Sequence, residues 1–103
     1  MAIIRGTTPT LRFTFTDINA DHIVTAYLVI KYDQTTLIEK PISDVVNRTE
    51  TTMDWKLSQS ETLLLPDRKT VDICCDWKLQ DGTRGRSTVC SVIVESSGKN
   101  EVI

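Results

Sequence analysis

Val71-Asp72-Ile73-Cys74-Cys75-Asp76-Trp77-Lys78 is the stretch of sequence that decides the fold. Its side chains fall into one mostly apolar and one mostly polar set at every second position, which is typical of an antiparallel strand with one buried face. The predicted buried face carries Val71, Ile73, Cys75 and Trp77. The stretch therefore predicts a half-buried strand in the middle of a sheet.

A hairpin is predicted directly after this strand. Gln80-Asp81-Gly82-Thr83 contains Asp-Gly, the dipeptide most typical of a two-residue turn, and a second apolar run follows at 88–94. With a two-residue loop, the predicted pairs are Ile73 with Cys90, Val71 with Val92, and Trp77 with Arg86. The inward set of the last strand is then Cys90, Val92 and Val94. A bulge at Gly85 is the alternative; it would turn Val89, Ser91 and Ile93 inward and set Cys74 opposite Cys90.

Further strands are predicted where polar and apolar residues alternate between turn signals. They cover residues 11–16, 25–32, 36–40 and 51–57, and residues 44–50 have the composition of a polar loop. Ser58-Gln59-Ser60-Glu61 matches a capping box, which predicts one short helix after the fourth of these strands. The predicted core side chains are Phe13, Phe15, Leu28, Ile30, Trp55, Leu57, Ile73 and Trp77.

Short strands spaced about ten residues apart are typical of an all-β, immunoglobulin-like antiparallel β-sandwich, here with one short helix at a corner. A small five-stranded β-barrel is the alternative. A chain of 103 residues fits one domain. We expect a single sandwich over 1–103, with short interaction arms at about 1–6 and 96–103.

Charge and composition argue against several classes of function. A net charge of -2 does not suit a general binder of nucleic acid or anionic membranes. No apolar run approaches the ~20 residues of a membrane span. Residues 1–9 lack the basic segment and long apolar core of a secretion signal. We therefore expect a chain folded in a reducing cytosol, with its three cysteines as free thiols.

No pattern of residues points to catalysis. His22 is the only histidine, and its place in a polar stretch is typical of a solvated loop rather than of a Ser-His-Asp site. The adjacent Cys74 and Cys75 would face opposite sides of a strand, which does not suit a zinc site. We expect a non-enzymatic protein with no catalytic, cofactor-binding or metal-binding residues and no small-molecule substrate.

The two tryptophans are the candidates for a sugar-stacking platform. Trp55 and Trp77 both fall on the inward sets of their strands, which favours the core. A carbohydrate-binding module for host-surface glycans stays an alternative, and it would need at least one exposed tryptophan.

Two stretches carry a resemblance to a known family. They are Ile3-Ile4-Arg5-Gly6-Thr7-Thr8-Pro9-Thr10-Leu11-Arg12-Phe13-Thr14-Phe15 and Leu57-Ser58-Gln59-Ser60-Glu61-Thr62-Leu63-Leu64-Leu65. They resemble the opening Gly-Thr-Thr-Pro strand and the Leu-Thr-Gln-x-x-Thr corner of small structural proteins from bacteriophages of Gram-positive hosts. Ser58 replaces the usual threonine, which is conservative for a helix cap. The layout is also similar to the N-terminal sandwich of phage baseplate upper proteins.

The resemblance implies a virion component made in the host bacterial cytoplasm, in the tail, baseplate, neck or capsid decoration. Its expected partners are other virion proteins and copies of itself, with no nucleic acid and no membrane. A small host-directed regulator, absent from particles, is a further alternative.

Both ends of the chain carry apolar residues outside the convincing strands. Exposed apolar tips are costly unless a partner covers them, and strand addition to an open sheet edge is a common way to bind. We therefore predict that one of the two ends contacts a neighbouring subunit rather than the protein's own core. The residues concerned are Ala2, Ile3, Ile4 and Arg5 at the N-terminal end, and Glu101, Val102 and Ile103 at the C-terminal end.

Overall fold

The computed structural model describes residues 2–16, 18–87 and 89–95. Within these ranges the chain forms nine strands, one α-helix and two short 3₁₀ helices. The strands are β1 Ala2–Ile4, β2 Thr10–Thr14, β3 Ile23–Tyr32, β4 Thr35–Pro41, β5 Val45–Arg48, β6 Thr52–Lys56, β7 Thr70–Leu79, β8 Arg84–Arg86 and β9 Cys90–Glu95. The helices are α1 Gln59–Leu63 and the 3₁₀ helices Ala20–His22 and Ile42–Asp44. None of the described helices is long and apolar enough to cross a membrane.

The strands form two sheets. The larger has the order β1-β9-β7-β3-β4, with β8 also beside β7, and the smaller has the order β2-β6-β5. Strand β1 runs parallel to β9, and the other described pairings are antiparallel. The smaller sheet corresponds to strands B, E and D of an immunoglobulin-like domain, and β9, β7 and β3 correspond to G, F and C.

This architecture confirms the all-β, immunoglobulin-like sandwich, with α1 at the corner where the chain passes from the smaller to the larger sheet. The described strands do not form the five-stranded barrel considered as the alternative. The predicted capping box is also confirmed. The Ser58 hydroxyl accepts a hydrogen bond from the Glu61 N–H at 3.1 Å, and the Glu61 carboxylate accepts one from the Ser58 N–H at 2.8 Å.

The core lies between the sheets. Of the eight predicted core side chains, those of Phe15, Leu28, Ile30, Trp55, Leu57 and Ile73 are buried. Trp55 is fully buried, and its indole N–H donates to the Pro41 carbonyl at 3.0 Å. Phe13 and Trp77 are only half-buried. Their predicted burial was overestimated because they line one open side of the sandwich.

The hairpin after β7 has a three-residue loop, so the predicted two-residue loop is wrong. The Gly82 N–H donates to the Leu79 carbonyl at 3.0 Å, and the Leu79 N–H donates to the Thr83 carbonyl at 2.8 Å. Gly82 has φ of 91°, a value that favours glycine and is typical of the bulge that ends such a loop. The longer loop sets Gly85, and not Arg86, opposite Trp77.

A bulge between β8 and β9 restores the predicted register of the last strand. Asp76 pairs with Arg86 and Ile73 pairs with Cys90, so one more residue lies on the returning strand than on β7. The predicted pairs of Ile73 with Cys90 and Val71 with Val92 are confirmed. The alternative register through a Gly85 bulge is wrong. Val92 and Val94 are buried as predicted, but Cys90 is exposed.

Residues 45–48 form strand β5, so the loop predicted over 44–50 is wrong for that part. Val45 pairs with Trp55 of β6 and packs against the core. Arg48 is fixed by hydrogen bonds, because its guanidinium donates to the carbonyls of Ala20 and Ile23. A strand that is held in place by a charged side chain does not show the alternation of apolar residues from which the other strands were predicted.

Candidate partner-binding site

The N-terminal residues expected to leave the core form a strand of the domain. Strand β1 pairs with β9, and Ile3, opposite Val94, is fully buried. The Arg5 N–H continues this pairing by donating to the Glu95 carbonyl at 2.9 Å. The expected arm at about residues 1–6 is therefore wrong over residues 2–6. The physical reason is that burial of Ile3 favours docking of the whole segment.

Helix α1 fixes the segment that follows β1. Thr62 is fully buried, and its hydroxyl accepts a hydrogen bond from the Gly6 N–H at 3.0 Å and donates one to the Thr7 carbonyl at 2.9 Å. The Arg5 guanidinium donates to the Leu63 carbonyl at 3.0 Å. These contacts hold the N-terminal end against the corner of the sandwich.

Part of the N-terminal segment is nevertheless available to a partner. Strand β1 lies at one end of the larger sheet, and Ile4 is 42% exposed. Ile93 of β9 is 48% exposed and lies diagonally across from Ile4 on the same face. Partner binding by Ala2, Ile3, Ile4 and Arg5 stays a prediction. The predicted contacts of Glu101, Val102 and Ile103 lie outside the described residues.

A second open edge belongs to β2, the end strand of the smaller sheet. Between β2 and strands β8 and β9 lie two depressions of about 420 Å³ and about 120 Å³ that share Arg12, Phe13 and Cys90. We call this continuous feature the β2 groove. Its lining includes the apolar side chains of Leu11, Phe13, Phe15, Ile18, Ile73, Trp77 and Val92.

The β2 groove exposes side chains that the alternation assigns to the core. Phe13 contacts Trp55 edge to face, with ring centroids 5.6 Å apart, yet it is only half-buried. Trp77 is half-buried, and Cys90 is exposed although its partner Ile73 is buried. No described strand pairs with the second edge of β2, so none of the described strands covers this side of the core.

Two ion pairs flank the groove. Arg12 donates to both carboxylate oxygens of Asp54, at 2.9 and 3.0 Å, and these hydrogen bonds lower the pKa of Asp54, which is 4% exposed. Arg86 donates to Asp76 across the neighbouring strands, which raises the pKa of Arg86. Because both guanidinium groups have carboxylate partners, the groove offers backbone and apolar groups rather than an unpaired positive charge.

The cysteines differ in environment. Cys74 and Cys75 are buried, and burial raises the pKa of both thiols, that of Cys75 to about 12. Cys90 is exposed in the β2 groove, and none of the three forms a disulfide. Over residues 2–16, 18–87 and 89–95, no group of three or more His, Cys, Asp or Glu side chains is arranged to hold a metal ion. His22 is exposed at the end of a 3₁₀ helix.

The two tryptophans differ in their surroundings. Trp55 is fully buried. Trp77 lies so close to Gly85 that a Cβ there would come within 2.2 Å of its ring. Gly85 is therefore needed to let the ring lie across the neighbouring strand, which leaves Trp77 as part of the groove wall. A sugar-stacking platform gains no support from either side chain.

The sequence patterns suggested strand addition, but they did not locate the β2 groove. The groove arises because β2 has a neighbour on one side alone among the described strands, which is a property of the sheet order. The sequence does indicate that Leu11, Phe13 and Phe15 face inward. This alternation is the same whether or not a further strand covers these side chains.

No family model matches the chain, and no curated protein matches it. Two solved chains match it. One is the immunoglobulin-like domain of mouse leukocyte-associated immunoglobulin-like receptor 1, solved as a strand-swapped dimer. It is 15% identical, with a TM-score of 0.48, over 94% of this chain and 86% of that one.

Proposed function

We propose that the chain is a non-enzymatic bacteriophage structural protein, a subunit or a decorating or connecting module of the virion that acts through protein–protein contacts. Its place is in the tail, baseplate, neck or capsid, after synthesis in the host bacterial cytoplasm. Its partners are other virion proteins and copies of itself.

The observation that carries this proposal is the β2 groove. A monomer that works alone gains nothing from leaving Phe13 and Trp77 partly exposed beside an open strand edge, because open edges and apolar patches favour unwanted association. A subunit of an assembly needs such features, because a partner strand covers both at once. The resemblance of the Gly6-Thr7-Thr8-Pro9 opening to phage structural proteins supports the same proposal.

Mass spectrometry of purified particles tests the proposal. We expect the chain in stoichiometric amounts in particles that have been washed in high salt. Particles should lose the chain, or fail to assemble, when residues 99–103 are deleted and the domain keeps its melting temperature. Absence of the chain from particles would contradict the proposal and favour a host-directed regulator.

A glycan array separates the carbohydrate-binding alternative. The expected result is no binding above background. Saturable binding to a host-surface glycan that is lost in Trp77→Ala and retained in Tyr27→Ala would contradict the proposal, because Trp77 would then serve as a stacking platform.

A further inference from the structure

We infer that the open edge of β8 binds an extended segment of a partner protein in which acidic residues stand on both sides of an apolar one. The inference rests on the proposed function and deepens it, because it names an edge that accepts a partner and the chemistry of the segment that binds there. Strand β8 consists of Arg84, Gly85 and Arg86, and one of its edges pairs with β7. No described strand pairs with its other edge.

The backbone of β8 presents hydrogen-bonding groups at this open edge. The Thr83 carbonyl accepts from a backbone N–H of β7 at 2.8 Å, and the Ser87 N–H donates to a backbone carbonyl of β7 at 2.9 Å. The direction of such groups alternates from residue to residue along an antiparallel strand. The N–H and C=O groups of Arg84 and Arg86 therefore point away from β7, where an added strand would bind them.

The side chains beside this edge carry an excess of positive charge. Lys78 lies directly opposite Arg84, and like charges in that position repel each other. Among the described residues, neither of the two forms an ion pair. Arg86 donates to both carboxylate oxygens of Asp76. Three cationic side chains therefore share one carboxylate, and an occupant with two carboxylates would balance the remaining charge.

The spacing of the two arginines sets the spacing of the acidic residues. Arg84 and Arg86 lie on one face of β8, about 7 Å apart along the strand, and Gly85 lies on the other face. In an added strand, the residues opposite Arg84 and Arg86 are also two positions apart and share that face. Carboxylates at both positions would accept charge-assisted hydrogen bonds from the guanidinium groups.

The residue between the two acidic positions faces Trp77. A depression of about 530 Å³ beside β8 is lined by Asp76, Trp77, Arg84, Gly85 and Arg86, all of which belong to β7 and β8. Trp77 is half-buried, and its ring lies against Gly85. An apolar side chain opposite Gly85 would therefore contact the ring and remove part of it from water.

The chain itself does not supply such a segment. No two of its 14 acidic side chains are two positions apart. A strand from the same copy or from a second copy would therefore leave one arginine of β8 without a new carboxylate. The charges also act against other strands, because a cationic edge repels basic segments and discourages pairing with apolar ones. A partner with alternating acidic residues is the occupant that this edge favours.

Titration of the isotope-labelled full chain with a short peptide, followed by NMR, tests the inference. The peptide Ser-Thr-Glu-Val-Glu-Thr-Ser should bind with a dissociation constant on the order of 1 mM, because it makes few contacts. The largest shifts should fall on the outward amides of Arg84 and Arg86 rather than on Gly85, whose N–H faces β7. No saturable shift at up to about 10 mM peptide would overturn the inference.

Control peptides separate charge from spacing. Ser-Thr-Gln-Val-Gln-Thr-Ser removes both charges and keeps the shape. Ser-Thr-Glu-Glu-Val-Thr-Ser keeps both charges but places them on opposite faces of a strand. Each should bind about fivefold more weakly than the first peptide, and equal binding of either would overturn the inference. Tighter binding of a short oligothymidine would also overturn it and favour a nucleic-acid partner.

Two variants at exposed arginines connect the binding with β8. Arg84→Gln should weaken binding of the first peptide by about fivefold or more. Arg68→Gln removes the same charge outside β8 and should weaken binding by about twofold or less. Equal weakening by the two variants would mean that net charge alone attracts the peptide, and it would overturn the inference.

The two proposals fail in different ways. If the first peptide does not bind while the chain is present in washed particles, β8 is not the acceptor edge and the structural role stands. If the chain is absent from particles while this peptide binds at β8, the virion role is wrong and the binding edge stands.

Discussion

Strands β1 and β2 are end strands of the two sheets, but they cover the core to different extents. Strand β1 has only three residues, yet its Ile3 is completely buried. Its pairing with β9 extends to Arg5, whose N–H donates to the Glu95 carbonyl. Strand β2 is longer and leaves Phe13 half-buried beside an open groove. How deeply the side chains of an end strand are buried therefore depends on the strand beside it and not on its own length or apolar content.

The largest expected effect separates the closed core from the groove. Trp55→Ala should lower the free energy of unfolding by about 3–5 kcal/mol, because it empties a fully buried site and leaves the Pro41 carbonyl without its donor. Trp77→Ala should cost about 1–3 kcal/mol, because Trp77 is only partly buried and less apolar area is lost from the core. Chemical denaturation measures both. Equal losses would mean that the groove is covered in the free protein.

The next effect tests the docking of β1 with two neighbouring isoleucines. Ile3→Ala should cost about 2–4 kcal/mol, because Ile3 is fully buried. Ile4→Ala should change stability by about 0.5 kcal/mol or less, because its side chain is 42% exposed. Melting curves of the two variants under one buffer provide the comparison. Similar melting temperatures would show that β1 does not hold Ile3 in the core.

The sequence predicted those parts of the fold that local chemistry determines. The alternation in β7 and the Ser58 capping box rest on neighbouring residues, and both appear as predicted. Strand β1 could not be predicted as core, because three apolar and small residues show no alternation. Strand β5 was missed because a charged side chain, Arg48, anchors it.

The candidate site was harder to predict for a physical reason. Alternation in residues 11–16 reports which side chains face inward, but not whether a second strand closes the space beside them. Cys90 shows the limit most clearly: its register is as predicted, and its thiol is nevertheless exposed. Exposure there depends on which strand lies next to β2, and that follows from the order of the whole sheet.

A smaller effect compares the two ion pairs beside the groove. Asp54→Asn should cost about 1–3 kcal/mol at neutral pH, because Asp54 is 4% exposed and accepts two charged hydrogen bonds from Arg12. Asp76→Asn should cost about 1 kcal/mol or less, because both side chains of its pair with Arg86 are exposed.

The pH dependence of the first variant follows from the direction of the pKa shift. The pKa of Asp54 is lowered in the folded state, so its contribution is present above the ordinary carboxyl pKa of about 4 and is lost as pH falls through the lower folded value. Thermal unfolding of wild type and Asp54→Asn should therefore differ at pH 7, and the difference should shrink as the pH falls below the ordinary carboxyl value. A difference that does not shrink with falling pH would contradict the assigned role of the carboxylate.

The last prediction needs no substitution and measures the exposure of the cysteine thiols directly. Cys90 lies in the open groove, whereas Cys75 is fully buried in the core and burial raises its pKa to about 12. The thiolate is the reactive form, so at pH 8 the Cys75 thiol stays almost entirely protonated even before access is considered. With dilute iodoacetamide on the monomer, peptide mapping should find Cys90 alkylated well before Cys74 or Cys75. Mild oxidation should form no Cys74–Cys90 disulfide within one chain, because Cys90 pairs with Ile73 and the two thiols face opposite sides of the sheet. Slow alkylation of Cys90 in the monomer would mean that a segment of the same chain already covers the groove, and the contrast between the two edges would then disappear.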